Sequence, residues 1–156
     1  MTLNIGTIAP DFTLKNSDLE DVNLAEQKGQ NVVLLFFPLA FTGTCTEELC
    51  HMRDSISKFN DLNSKVLAIS VDSPFTLKKY KEENELNFPL LSDFNKDVSQ
   101  AYGAFYEDFV LGMKGVSKRA VFLLDKNGML QYSEVLENAG DLPNFESLEK
   151  ALSNLN

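Results

Sequence analysis

Tryptophan is absent from the 156 residues, histidine occurs once and cysteine only twice. Two cysteines and one adjacent histidine, His51, lack the spaced ligand pairs and the fourth ligand of a structural zinc site, which leaves His51 to be read as a helix-surface residue. Basic residues are outnumbered: 14 Lys and Arg stand against 23 Asp and Glu, for a formal charge of -9, with a pI near 4.6. The average field therefore repels phosphate backbones and anionic headgroups, so nucleic acid and membrane are excluded as expected partners. Long apolar runs are missing too. The longest, Val32 to Phe41, is too short to span a bilayer, and the opening MTLNIGTIAPDF has neither the basic segment nor the apolar core of a signal peptide. A cytoplasmic location is expected. In a reducing compartment two cysteines five positions apart, Cys45 and Cys50, are poor structural staples and better suited to transient redox or metal chemistry.

Apolar material is otherwise sufficient. Hydrophobic residues make up 44%, with 12 Phe and 4 Tyr, enough for one core of ordinary size. A single globular domain over residues 1–156 is expected, with no internal repeat or low-complexity segment. Asp11 to Leu14 and Asp21 to Leu24 alternate around a polar turn and read as a small N-terminal hairpin, which Pro10 leads into. Val32 to Phe37 is a β-branched and aromatic run of the kind buried on both faces of a sheet, ended by Pro38. Thr44 with Glu47 three residues on forms a capping box, which predicts a helix from about Cys45 to Leu62. Cys45, Leu49, Met52, Ile56 and Phe59 share one face of it.

Lys65 to Val71 predicts a second strand, and Ser73 followed by Pro74 an N-cap with proline at the first helical position, for a helix reaching about Leu86. Leu90 and Leu91 predict a short extended piece, and Asp93 to Tyr102 a short helix ended by Gly103. Ala104 to Gly115 is read as irregular. Ala120 to Asp125 and Met129 to Leu136, joined through Lys126-Asn127-Gly128, predict a hairpin, and Phe145 to Leu155 a last helix. Strand, helix, strand, helix, antiparallel hairpin and helix fit an α/β, thioredoxin-like fold carrying an N-terminal β-hairpin extension.

A cysteine in the first turn of a helix faces unpaired backbone N–H groups and the positive end of the helix dipole, both of which favour a thiolate. Pro38, Thr42 and Cys45 form P-x-x-x-T-x-x-C. On that signature the chain resembles the peroxiredoxin family of thiol peroxidases. The resemblance runs through APDFTL, FFPLAFTG, PLLSDF at Pro89, VSQAYG at Val98 and RAVFLLDKNG from Arg119. These stretches are similar to AhpE-type members, whereas the pair CTEELC resembles the Q-type, or bacterioferritin-comigratory, branch.

The resemblance implies that Cys45 is the peroxidatic nucleophile, Thr42 the hydroxyl orienting the peroxide, Pro38 a shield over the thiolate and Arg119 the cation beside it. It implies hydrogen peroxide and organic hydroperoxides as substrates and no metal, flavin or haem cofactor. Glu48 stands three positions after the nucleophile, where the family has a supporting acid; it either orients Arg119 or is a solvated helix residue. A free thiol of pKa about 8.5 is already roughly a tenth ionised near pH 7.5, so complete ionisation yields only about tenfold in rate. The neighbouring groups are therefore expected to act chiefly on the transition state, aligning the O–O bond with sulfur and stabilising the departing oxygen.

Residues five apart in a helix have Cα atoms roughly 8.6 Å apart, beyond the about 6.8 Å a disulfide tolerates. If Cys50 resolves a sulfenic acid on Cys45, the helix around Thr44 to His51 has to unwind in each cycle, and Gly43 with Thr42, Thr44 and Thr46 are weak helix formers. Thioredoxin, glutaredoxin or a similar dithiol would then reduce the disulfide. The AhpE-type resemblance implies instead a one-cysteine cycle completed by an external thiol, and a redox sensor or relay is a third reading. Phe41, Phe105, Tyr106 and Phe109 belong either to the core or to a substrate or dimer surface, and the resemblance suggests a homodimer. Neither a GGLG segment nor a C-terminal YF pair is present, and by resemblance that implies resistance to over-oxidation.

Overall fold

The computed structural model describes residues 3–155; Met1, Thr2 and Asn156, the outermost residues of the expected domain, lie outside the described residues. The strands are β1 (Thr13–Asn16), β2 (Asp21–Asn23), β3 (Asn31–Phe36), β4 (Ser64–Ser70), β5 (Leu90–Ser92), β6 (Phe105–Tyr106), β7 (Val116–Ser117), β8 (Arg119–Leu124) and β9 (Leu130–Leu136). The helices are α1 (Gly43–Asp61), α2 (Pro74–Glu83), α3 (Asp97–Ala101) and α4 (Phe145–Ser153). One sheet runs in the order β2-β1-β5-β4-β3-β8-β9. Inside it β3 lies between β4, to which it is parallel, and β8, to which it is antiparallel.

Because successive side chains of a strand point to opposite faces, β3 divides its run between two cores. Val33, Leu35 and Phe37 pack with Leu49 and Met52 of α1, Leu77 and Tyr80 of α2 and Leu148 and Leu152 of α4. Val32, Leu34 and Phe36 pack on the opposite face with Phe12, Leu24, Val98 and Tyr102. A strand buried on both sides leaves no polar position, which is why the run from Val32 reads as continuously apolar.

Several boundaries differ from the sequence reading, each for a local reason. The hairpin β1–β2 is part of the main sheet, since Lys15 and Asn16 pair with Ser92 and Leu91 of β5. The capping box at Thr44 does not form: Thr42 is the N-cap, no side chain caps the helix, and α1 starts at Gly43. Helix α2 stops at Glu83 because Glu85 turns left-handed at φ 50°. Leu86 then returns its N–H to Lys81 O at 3.0 Å, a Schellman-type ending that drops the Leu86 side chain into the core. Helix α3 is shorter than expected because Lys96 is left-handed at φ 71°. The buried Asp93 carboxylate accepts the Val98 and Ser99 N–H groups from outside the helix, at 3.1 and 2.7 Å.

In the β8–β9 turn only Gly128, at φ 83°, uses the left-handed region. Asp125 organises the turn instead, its Oδ1 accepting from the N–H groups of Asn127 and Met129. Within the region read as irregular, β6 pairs antiparallel with β7 just beyond it, Phe105 with Ser117 and Tyr106 with Val116.

Candidate active site

Strand register brings the site together. Phe36 of β3 pairs with Ala120 of β8, so Arg119 lies one step past the last pair, level with Phe37 where β3 runs out. The chain leaves that sheet end through buried Pro38 and enters α1 at Gly43. Arg119 shares its side-chain parity with Val121 and Leu123, which pack on the α1 face. The guanidinium therefore enters the space under the first turn of α1.

There it meets the cysteine. Arg119 Nη1 and Nη2 each lie 3.3 Å from Cys45 Sγ. Nη1 also donates to Glu48 Oε1 at 2.6 Å, and Nη2 to the Ala139 carbonyl at 2.8 Å. Cys45 and Arg119 are 1% exposed and Glu48 is fully buried. Of the two readings of Glu48, the geometry is that of a residue holding Arg119, not of a solvated one. Burial pushes the Glu48 carboxyl up to about 7, against the pull of Arg119 and with a smaller push from Glu134. For Arg119 burial works the other way, yet Glu48 and Cys45 hold the guanidinium above its ordinary value.

The loop before α1 is held from several sides. Thr42 Oγ1 donates to Leu39 O at 2.8 Å and makes no capping bond to the helix amides. Ala40 N–H donates to Asp72 Oδ2 at 2.8 Å, and the Ser70 hydroxyl donates to the same oxygen at 2.7 Å. Phe41 is left-handed, at φ 64°, a costly conformation for a bulky residue. Its ring stands edge-on to Tyr80 at 5.0 Å and is 51% exposed, so Phe41 is a surface residue of the site and not part of the core. Thr46 Oγ1 and Tyr80 Oη share a hydrogen bond of 3.0 Å across α1 and α2.

Cys50 is half-buried on the same unbroken helix as Cys45, and both are free thiols. It faces α2, with Sγ in a long contact of 4.0 Å to Asn84 Oδ1. One turn later Arg53 Nη1 donates to Asn84 O at 2.7 Å, and Asn87 Nδ2 donates to Arg53 O at 3.2 Å. His51 is exposed and stacks on Phe145 at 4.2 Å. Among the described residues no group of three or more His, Cys, Asp and Glu side chains could hold a metal ion. Phe105, Tyr106 and Phe109 are half-buried, and Tyr106 and Phe109 line a surface hollow with Glu137 to Ala139.

The sequence reading missed Ala139, Asp72 and Tyr80. Nothing in the sequence marks a backbone carbonyl that caps an arginine. Asp72 sits inside the V-D-S-P helix-start signal, but that signal says nothing of its reach back to Ala40.

Comparison with known proteins places the chain in a family. The model of the AhpC/TSA family matches residues 5–133. Alkyl hydroperoxide reductase E of Mycobacterium tuberculosis is 43% identical over 136 residues, covering 85% of this chain and 86% of that one. Peroxiredoxin Bcp of Escherichia coli is 37% identical over 132 residues, covering 83% and 84%. The crystal structure of peroxidoxin BcpB from Mycobacterium tuberculosis superposes with a TM-score of 0.82 at 28% identity, covering 98% of this chain and 96% of that one. The thioredoxin-like fold is thus shared along nearly the whole length, and this chain belongs to the AhpC/TSA family, as a peroxiredoxin of the AhpE/Bcp type.

Proposed function

We propose that this thiol peroxidase reduces hydrogen peroxide and organic hydroperoxides through Cys45, with Cys50 as the resolving thiol. The observation that carries the reading is the pair of 3.3 Å contacts from both Arg119 Nη groups to Cys45 Sγ, in the first turn of α1. In the first step the Cys45 thiolate attacks one peroxide oxygen, the O–O bond breaks, and the distal oxygen leaves with a proton as water or an alcohol; sulfur becomes a sulfenic acid. The first-turn amides of α1, the Thr42 hydroxyl and the guanidinium align the peroxide and receive the charge that develops on the departing oxygen. Pro38 shields the thiolate from bulk water.

In the second step Cys50 sulfur attacks Cys45 sulfur, water leaves, and an intrachain disulfide forms. A dithiol such as thioredoxin or glutaredoxin then returns both cysteines to thiols. Because α1 is continuous from Gly43 to Asp61, this step needs its first two turns to unwind. The same continuity favours a second reading, in which an external thiol attacks the sulfenic acid directly and Cys50 stays a thiol. A cytoplasmic homodimer working without metal, flavin or haem completes the proposal.

Peroxide consumption by wild type, Cys45→Ser and Cys50→Ser, each with several thiol reductants, tests the assignment. Cys45→Ser is expected to lose turnover with every reductant, and Cys50→Ser to lose it with dithiol proteins. Peptide mapping after one equivalent of peroxide should show a Cys45–Cys50 crosslink. A Cys50 that remains alkylatable there excludes its resolving role, and sustained turnover, as against a single stoichiometric oxidation, separates the peroxidase from a relay.

A further inference from the structure

Three ionisable groups meet behind the nucleophile, and only one of them is a cation. Arg119 Nη1 serves both Glu48 Oε1, at 2.6 Å, and Cys45 Sγ, at 3.3 Å. The second carboxyl oxygen of Glu48, Oε2, is buried with no hydrogen-bond partner among the described residues. An orphaned oxygen is tolerated far better in a neutral acid than in an anion, because an ionised carboxylate withdrawn from water demands donors on both oxygens. The other groups that face Glu48 do not relieve it. Glu134 of β9 adds negative charge, Tyr80 of α2 offers a neutral phenol whose titration burial has pushed further up, and Cys45 on its own helix is a potential anion.

If Cys45 and Glu48 were both ionised, two anions would share one guanidinium in a buried site, with Glu134 nearby as a third. Coulomb repulsion at low effective dielectric disfavours that state strongly. We propose that Cys45 and Glu48 share one proton, so that Glu48 is a positioning residue that gates the nucleophile: protonated, it leaves the guanidinium to the Cys45 thiolate, and ionised, it claims the guanidinium and holds Cys45 as a thiol. The exchange balances as Cys45–SH plus Glu48–COO⁻ giving Cys45–S⁻ plus Glu48–COOH, one S–H bond lost and one O–H bond gained at constant net charge. The upward push of burial on Glu48, to about 7, brings its proton into the range where thiols titrate. The protons then come off in steps that belong to the pair and not to either residue. Its consequence for catalysis rests on Cys45 being the nucleophile, but its test does not.

The test reads thiolate absorbance against pH in the reduced Cys50→Ser protein, where Cys45 is the only thiol. Glu48→Gln keeps an oxygen for Arg119 and removes the competing charge. It is expected to turn a broad, two-step titration into a single step and to lower its midpoint by about one pH unit or more. A midpoint that stays or rises overturns the proposal and leaves Glu48 only the task of aiming Arg119. Infrared spectroscopy supplies a reading with Glu48 intact. Near neutral pH the carbonyl band of a buried carboxylic acid should be present in the reduced protein, absent in Glu48→Gln and weaker in Cys45→Ser, where no thiolate competes. A band of equal strength in Cys45→Ser and the reduced protein also overturns the proposal. Failure of the peroxidase reading would show differently, as turnover retained by Cys45→Ser with the titration result unchanged.

Discussion

Arg119 directs its terminal nitrogens at three acceptors, Cys45 Sγ, Glu48 Oε1 and Ala139 O, while its buried Nε makes no hydrogen bond among the described residues. The residue therefore does two things that a single substitution removes together. Arg119→Met is expected to lower kcat/KM for peroxide by roughly 10²- to 10³-fold, the scale of losing one preorganised donor to a developing oxyanion. It should also destabilise the protein by about 1–3 kcal/mol, because the Glu48 carboxyl and the Ala139 carbonyl are left buried without the guanidinium's hydrogen bonds. Replacing Glu48 by Met as well should restore most of the stability, read by chemical denaturation, and none of the activity. Activity that returned along with stability would mean that Arg119 acts only on folding. The pairing was legible in the sequence only as far as Arg119 and the position of Glu48. That the two meet, and that Glu48 is buried, follows from the β3–β8 register, which no local pattern encodes.

Helix α1 is tied unevenly along its length, and the mechanism depends on where the ties fall. Its first turns carry Gly43, Thr44 and Thr46 and no side-chain cap, whereas Arg53 and Asn87 bind it to the end of α2 through Asn84 O and Arg53 O. Unwinding from the N-terminus as far as Cys50 therefore breaks the Thr46–Tyr80 and Glu48–Arg119 bonds, and meets its next tie at Arg53. Asn84→Ala removes the long contact to Cys50 Sγ and should speed formation of the intrachain disulfide by about twofold, the scale of a weak S–H···O interaction of about 0.4 kcal/mol. Gly43→Ala should act in the opposite direction. A Cβ there meets nothing within 4 Å, so alanine stabilises the helix by about 0.4–1 kcal/mol and slows the unwinding. Quenched alkylation and mass analysis after a peroxide pulse measures both rates, and equal rates in the two variants would exclude unwinding as the slow step. At this scale the sequence located α1 by its apolar face but misplaced its cap. The threonine that satisfies the N-cap position turns its hydroxyl to Leu39 O, a loop contact that a capping-box pattern ignores.

Across the whole molecule the two cores are closed by different means, one by three helices and the other by α3 with the N-terminal segment. That segment is held by the Ile8–Met129 bridge, by Ala9 N–H donating to Gly128 O at 3.0 Å and by the Tyr102 hydroxyl donating to Pro10 O at 2.6 Å. Tyr102→Phe keeps the ring against Phe12, Phe36 and Phe122 and removes only that last bond. It should cost about 1 kcal/mol, a fall in Tm of roughly 2–4 °C by calorimetry, with peroxide reduction unchanged because the bond lies on the sheet face opposite α1. A fall in activity that matched the fall in Tm would tie the N-terminal segment to the site. The central strands, the helix bearing Cys45 and the P-x-x-x-T-x-x-C signature were determined by the sequence itself, because period, apolar content and short-range spacing are local properties. The tertiary structure alone decided that Arg119, Glu48, Cys45 and Ala139 share one buried point, that Asp72 holds the loop at Ala40, and that Asn84 faces Cys50. Those contacts join residues up to 74 positions apart, and only the pairing of strands and the packing of helices fix them.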